Sequence, residues 1–359
     1  MRSPSCLIPV ALLLSLALPT ALAVAEGTSP EVVKIDADHQ TYDANARKFS
    51  LSGNVQVFYQ DFFIKSSTAD LDVDVAGQPE VANFYNRPHV KRTIDNVVDN
   101  IHGDVVRIYL KSNTFGAEGN VDSYIATVAA DPFTIKADTQ TFDNTTKMVT
   151  ADGNVKVHYK DADVSSAKAL LRMTGDGKAE RVIFSGSANI KQEDSRIRGD
   201  KITVMVDSGN LIAESNVNTQ VDLDPPKDGA DKVLIKSDYQ QYDKASDKML
   251  ATGHVWIKFG GYIATGSKAT FKLKGGDLDH ILLTGRPTIT EKDRTITADK
   301  ITITTNPQHF DAVGNVKIRF KTNADDPGAV TESPAKQPAT TPKGSAPKTT
   351  KPSDDLLEY

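Results

Sequence analysis

From Val33 onward, apolar and polar residues alternate one by one over short stretches. Val33, Ile35 and Ala37 are interleaved with Lys34, Asp36 and Asp38, and Leu71, Val73 and Val75 with Asp70, Asp72 and Asp74. Ile202, Val204 and Val206 alternate with Thr203 and Met205, and Ile301 and Ile303 with Thr302 and Thr304. A period of two puts successive side chains on opposite faces of an extended chain, so each stretch predicts a strand with one buried face. Turn-forming clusters separate the stretches, as at Asp43-Ala44-Asn45, Asp143-Asn144-Thr145, Asp207-Ser208-Gly209-Asn210 and Gly275-Gly276-Asp277. After the first 25 residues no stretch carries a sustained helical stripe of apolar residues, and the remainder reads as all-β.

The alternation is itself repeated, with a period of 100 residues. Val33-Lys34-Ile35 returns as Phe133-Thr134-Ile135 and Val233-Leu234-Ile235, and Asp38 as Asp138 and Asp238. Tyr42-Asp43 returns as Phe142-Asp143 and Tyr242-Asp243, and Gly53-Asn54-Val55 as Gly153-Asn154-Val155 and Gly253-His254-Val255. A weaker set lies between them: Asp104 with Asn120, Asp200 with Asn216, and Asp299 with Asn315. In all six half-units the Asp stands 16 residues before the Asn, or before His254 in one of them. Gly53, Gly153 and Gly253 interrupt strand patterns, and read either as bulges that let a sheet curl or as ordinary turns. The six Asp read as strand-end hydrogen bonding to local backbone rather than as metal ligands. Strands that each hide one face stack into a trough of two sheets with facing apolar surfaces, and at about ten residues per strand the repeats would hold ~29 strands. The expected fold is an elongated open β-jellyroll built from three paired repeats of about 100 residues, at 31–130, 131–230 and 231–321.

The ends differ in kind. Arg2 precedes an apolar run from Leu7 to Leu18, then Pro19 and Ala21-Leu22-Ala23-Val24-Ala25, which reads as a secretory signal over residues 1–25 cleaved after Ala23 or Ala25. The competing reading is a retained inner-membrane anchor. Residues 322–359 are dominated by Pro, Lys, Thr, Ala and Ser and predict a disordered tail. Cys6, the single cysteine, lies in the signal, so the mature chain would rely on its core without disulfides. A net charge of -5 from 42 Lys+Arg and 47 Asp+Glu lacks the basic excess that a nucleic-acid partner requires.

Enzyme chemistry finds no residues to carry it. The seven His are scattered without HxH or HExxH spacing, the sequence has neither a Gly-x-Ser-x-Gly elbow nor a phosphate-cradling loop, and Asp70, Asp72 and Asp74 read as the solvated side of a strand. The expectation is no catalytic residue, no metal and no cofactor.

Three stretches carry a resemblance: "IKADTQTFD" (135 to 143) with "TADGNVKVHY" (150 to 159), "DSRIRGDKITVMV" (194 to 206) and "DRTITADKITITT" (293 to 305). In order and spacing the chain resembles the OstA-like family of periplasmic lipopolysaccharide-transport proteins, which includes LptA, LptC and the periplasmic domain of LptD. The resemblance covers most of Val33 to Phe320 and is weakest around Ile101 to Val121. It implies a periplasmic protein that holds acyl chains between its sheets and conveys lipopolysaccharide or a related glycolipid toward the outer membrane. Its implied partners are related jellyrolls of the inner and outer membranes; the strand edges left open by such a trough add the expectation of end-to-end contacts with those jellyrolls or with further copies, through the first strand near Val33 to Ala37 and the last near Val316 to Phe320. On that reading Val33, Ile35, Val55, Val57, Tyr59, Phe133, Ile135, Val155, Val157, Ile202, Val204, Val255, Ile257, Ile301 and Ile303 face a lipid-binding lumen. Periodicity alone reads the same residues as a dry core, and the alternatives are a structural β-solenoid spacer or a membrane-anchored LptC-like component.

Overall fold

The computed structural model describes residues 33–94, 97–126, 132–175, 178–227, 230–274, 277–305 and 308–321. The expected signal and nearly all of the expected tail lie outside them. The chain divides into Met1–Arg319 and Phe320–Tyr359, and all but the last residue of the sheet lies in the first unit. No helix occurs among the described residues, and none is long and apolar enough to cross a membrane.

The first repeat supplies β1 (Lys34–Asp36), β2 (His39–Asp43), β3 (Lys48–Tyr59), β4 (Phe62–Val73) and β5 (Pro79–Tyr85). It continues with β6 (His89–Ile94), β7 (Val97–His102), β8 (Val105–Tyr109) and β9 (Thr114–Ile125). The second supplies β10 (Phe133–Asp143), β11 (Met148–Tyr159), β12 (Ala162–Met173), β13 (Ala179–Gln192), β14 (Ser195–Met205) and β15 (Leu211–Lys227). The third opens with β16 (Ala230–Asp243), β17 (Lys248–Phe259), β18 (Tyr262–Lys274) and β19 (Asp277–Thr284). It ends with β20 (Thr288–Glu291), β21 (Arg294–Thr297), β22 (Lys300–Thr305), β23 (Gln308–Val313) and β24 (Lys317–Phe320).

These strands form one antiparallel sheet of 24, as the all-β reading requires, and the two facing sheets expected from the sequence are the two walls of this one sheet. The sheet is folded over on itself, and its long strands run through both walls. β3 pairs with β2 through residues 48–52 and with β1 through 56–58. β4 pairs with β6 through 62–65 and with β5 through 68–73. Between the two halves the register slips, at Ser52/Val55 in β3, Asp152/Val155 in β11 and Thr252/Val255 in β17. A bulge adds one unpaired residue and bends the strand there, so a row of bulges creases the sheet. On β4 the slip also changes the parity of the buried positions, from Phe62 and Ile64 to Ala69, Leu71 and Val73. Val75 departs from the alternation: β4 ends at Val73, and Val75 lies 86% exposed in the following turn.

The six Asp and their partners stand at this crease. Asn54 Nδ2 donates to Asp38 Oδ2 at 2.7 Å, Asn120 to Asp104 at 2.9 Å, and Asn154 to Asp138 at 2.9 Å. Asn216 donates to Asp200 and Asn315 to Asp299, each at 2.8 Å, while His254 Nδ1 stands 2.7 Å from Asp238. Each Asn or His has a positive φ, a conformation that Asn tolerates better than most residues. The Asp side chains therefore clasp a side chain across the crease, where the sequence predicted local backbone bonding. The second recurrent Asp behaves as a turn former: Asp43 Oδ1 accepts from the N–H groups of Asn45 and Ala46, and Asp143 Oδ1 from those of Thr145 and Thr146. The Thr146 hydroxyl adds a further bond, and together these hold the Asp143 carboxyl below its ordinary pKa.

Candidate functional site: the interior between the walls

The inward faces meet across the fold. Phe62 lies in the wall formed by β6 and the first half of β4, and Phe115 in the wall formed by β8 and the first half of β9. Their ring centroids are 3.7 Å apart. The buried residues form two clusters, one running from Leu51 to Val217 and one from Val233 to Ile303.

Of the fifteen residues that the sequence assigns to the lumen, twelve are buried; Val33, Ile35 and Val204 are half-buried against the first cluster. Val33, Ile35, Val57 and Tyr59 surround a void of only about 10 Å³. Phe133, Val157 and Val204 meet instead at a cleft of about 390 Å³ in the second repeat. Val164, Phe184 and Ile190 add to its apolar lining, and Lys160, Asp161, Gln192 and Lys244 stand at its rim. Gln192 Nε2 donates to Asp161 Oδ2 at 2.9 Å. Val255, Ile257, Ile301 and Ile303 belong to the second cluster and do not reach the cleft.

The interior also holds polar groups that the sequence reading missed. Arg92 and Asp99 face each other across β6 and β7, both nearly inaccessible. Arg92 donates to Asp99 Oδ2 through Nε at 2.9 Å and through one terminal guanidinium nitrogen, and Asp99 Oδ1 accepts the Ala126 N–H at 2.9 Å. The Arg92 guanidinium lies 4.7 Å from the centroid of Phe142, which spreads its charge over a ring face. A neighbouring void of about 40 Å³ is lined by the same pair. Partial burial raises the Asp61 carboxyl above its ordinary pKa, against the opposing pull of Arg92. Gln140 is likewise buried, bonded to the Ile135 carbonyl and to Ser123. Parity held the missing signal: Arg92 is two residues after Val90 and Asp99 two before Ile101, so each shares the inward face of its neighbour.

Outside, charge is neutralised locally. The Asp70 and Asp72 carboxylates flank Lys48 at 3.7 and 3.5 Å and raise its pKa, as expected of a solvated strand face. Among the described residues no group of three or more His, Cys, Asp or Glu is placed to hold a metal ion. What the site offers among the described residues is an apolar, partly filled interior with a substantial cleft in the second repeat; such an arrangement can sequester hydrocarbon.

No protein-family model matches the chain, and no curated protein matches it in sequence. Among solved structures the chain has a likeness to LptH, described as the LptA homologous periplasmic component of the conserved lipopolysaccharide transport device from Pseudomonas aeruginosa. The TM-score is 0.32 at 13% identity, over 36% of this chain and 96% of that one.

Proposed function

We propose that this protein is a non-enzymatic periplasmic carrier whose interior accepts the acyl chains of lipopolysaccharide or a related glycolipid. In this reading it forms part of a bridge with related jellyrolls toward the outer membrane. The observation that carries the proposal is the cleft of about 390 Å³ between the apolar walls of the second repeat. Ordinary protein interiors are packed closely enough that few voids exceed a water molecule. Each buried methylene contributes ~0.8 kcal/mol, so hydrocarbon alone can hold a lipid there without a charged pocket. The three motif stretches supply the cargo class, through their resemblance to the lipopolysaccharide-transport family. A spacer with a dry core is the second reading, favoured by the third repeat, where Ile281, Leu283 and Ile301 are fully buried.

Organic extraction of the purified protein followed by mass spectrometry tests the choice. Bound glycolipid is expected in the parent. Val157→Asp and Val204→Asp each put a carboxylate against the cleft, at a cost of several kcal/mol if it stays charged and unpaired. Both variants are expected to lose most of the lipid while retaining the strand signal in circular dichroism. A parent that carries none, or folded variants that carry as much as the parent, would overturn the carrier reading.

A further inference from the structure

The three repeats do not close their interiors in the same way. Phe62, Ala162 and Tyr262 are the first residues of β4, β12 and β18, one hundred positions apart. Facing them from the opposite wall are Phe115, Leu211 and Phe310, each five residues before its crease Asn at 120, 216 and 315. In the first repeat Phe62 and Phe115 stack with centroids 3.7 Å apart, and Phe142 stands within 6.5 Å of Phe62. In the third repeat Tyr262 and Phe310 meet at 4.7 Å. The middle repeat places Ala162 and Leu211 at the same two positions, and both line the cleft.

We infer that the aromatic pairs are closures, and that the middle repeat is built open as the port where a single acyl chain of an amphiphile enters the interior. The inference rests on the carrier reading and adds where and how the chain is admitted. Removing two rings from facing positions leaves a gap that neither Ala nor Leu can span, whereas the void beside the Phe62 and Phe115 pair measures only about 40 Å³. At about 390 Å³ the cleft falls within the range of small-ligand pockets. With ~30 Å³ for a group the size of water or methylene, it holds about a dozen such groups, the inner part of one chain rather than a whole multi-chain lipid. The distribution of polarity selects the occupant. Phe133, Val157, Val164, Phe184 and Ile190 line the depth, and the charged side chains Lys160, Asp161 and Lys244 stand at the rim. A flexible hydrocarbon with its headgroup left in solvent meets both requirements.

The test uses the full chain and cis-parinaric acid, a polyene fatty acid whose fluorescence rises when it leaves water. Saturable binding with one equivalent at the port is expected for the parent. Ala162→Phe combined with Leu211→Phe rebuilds the missing stack and is expected to weaken binding at least tenfold, with a melting temperature no lower than the parent's. Tyr262→Ala combined with Phe310→Leu opens the third repeat and is expected to add a second equivalent. A folded closing variant that binds like the parent, or an opening variant that gains no equivalent, would overturn the port while leaving the carrier reading intact. A parent that binds no probe overturns both. Should the closing variant not fold, the opening variant decides alone.

Discussion

Asp138 and Gly153 meet at a crease where neither can change without disturbing the other. Gly153 has a φ of +76°, in the left-handed region that costs an L-residue roughly 1–2 kcal/mol. A Cβ at this position would also collide with the Asp138 carboxylate, which holds Asn154. Gly153→Ala should therefore destabilise by ~2 kcal/mol or more, the backbone term plus a displaced clasp. Urea denaturation would measure it, and Asp138→Ala made in the same chain should cost less than the two single changes added together, because the collision is shared. Simple additivity would show that the two residues do not interact. This pair was half legible in the sequence. The fixed spacing of 16 and the recurrent Gly announced a common device, but a contact between side chains on opposite sides of a bulge requires knowing that the strand bends there.

At the scale of elements, the β6 and β7 hairpin is where polar residues enter the apolar interior. Arg92 and Asp99 are directly opposed in register and nearly inaccessible, so the energetics of a desolvated ion pair apply. Removing one partner leaves the other charge buried alone. Asp99→Ala is thus expected to cost ~3–5 kcal/mol, whereas Arg92→Met with Asp99→Leu should come out close to the parent or more stable. Chemical denaturation of the three proteins distinguishes this from a pair that stabilises in its own right, for which the double variant would be as weak as the single. The strands themselves were legible from period two, since Val55, Val57, Ile135, Val155 and Ile257 point inward as the alternation required. What the alternation could not give is the continuity of the walls. A strand such as β4 changes inward parity at its bulge, and a pattern read in short stretches resolves it into two strands of two sheets. The opening in the second repeat escaped for a related reason: the sequence Phe62, Ala162, Tyr262 is plain to see, but its partners Phe115, Leu211 and Phe310 are identified only by the folding of one wall onto the other.

At the scale of the whole sheet, its two ends remain to be accounted for. β1 and β2 pair with β3 and with no other described strand, and β23 and β24 likewise pair only with β22 and β21. Among the described residues both ends therefore present edge strands with one side unpaired, the kind of edge that accepts another sheet or aggregates. The ends also correspond. β1 and β24 belong to the wall of the first half of β18, and β2 and β23 to that of its second half, as the chain of pairings through β20 and β21 and through β19 and β22 establishes. The last edge of one copy can thus meet the first edge of the next, wall against wall, and because the two edges differ such a contact does not close on itself. Tyr42 at the first edge is 50% exposed, and Val316 and Ile318 at the last are 45% and 53% exposed. Lysine on an edge strand opposes pairing by charge and by hydration, and substitutions at exposed positions change stability by roughly 0.5 kcal/mol or less. The parent is expected to associate through these edges, and Val316→Lys combined with Ile318→Lys to stay monomeric at the same concentrations with an unchanged urea midpoint. Static light scattering over a dilution series would follow it, and the parent's mean mass should keep rising with concentration rather than level off at a dimer. A plateau at the dimer would indicate that one edge pairs with its own copy. A parent that stays monomeric throughout would leave the edges to related jellyrolls or to solvent.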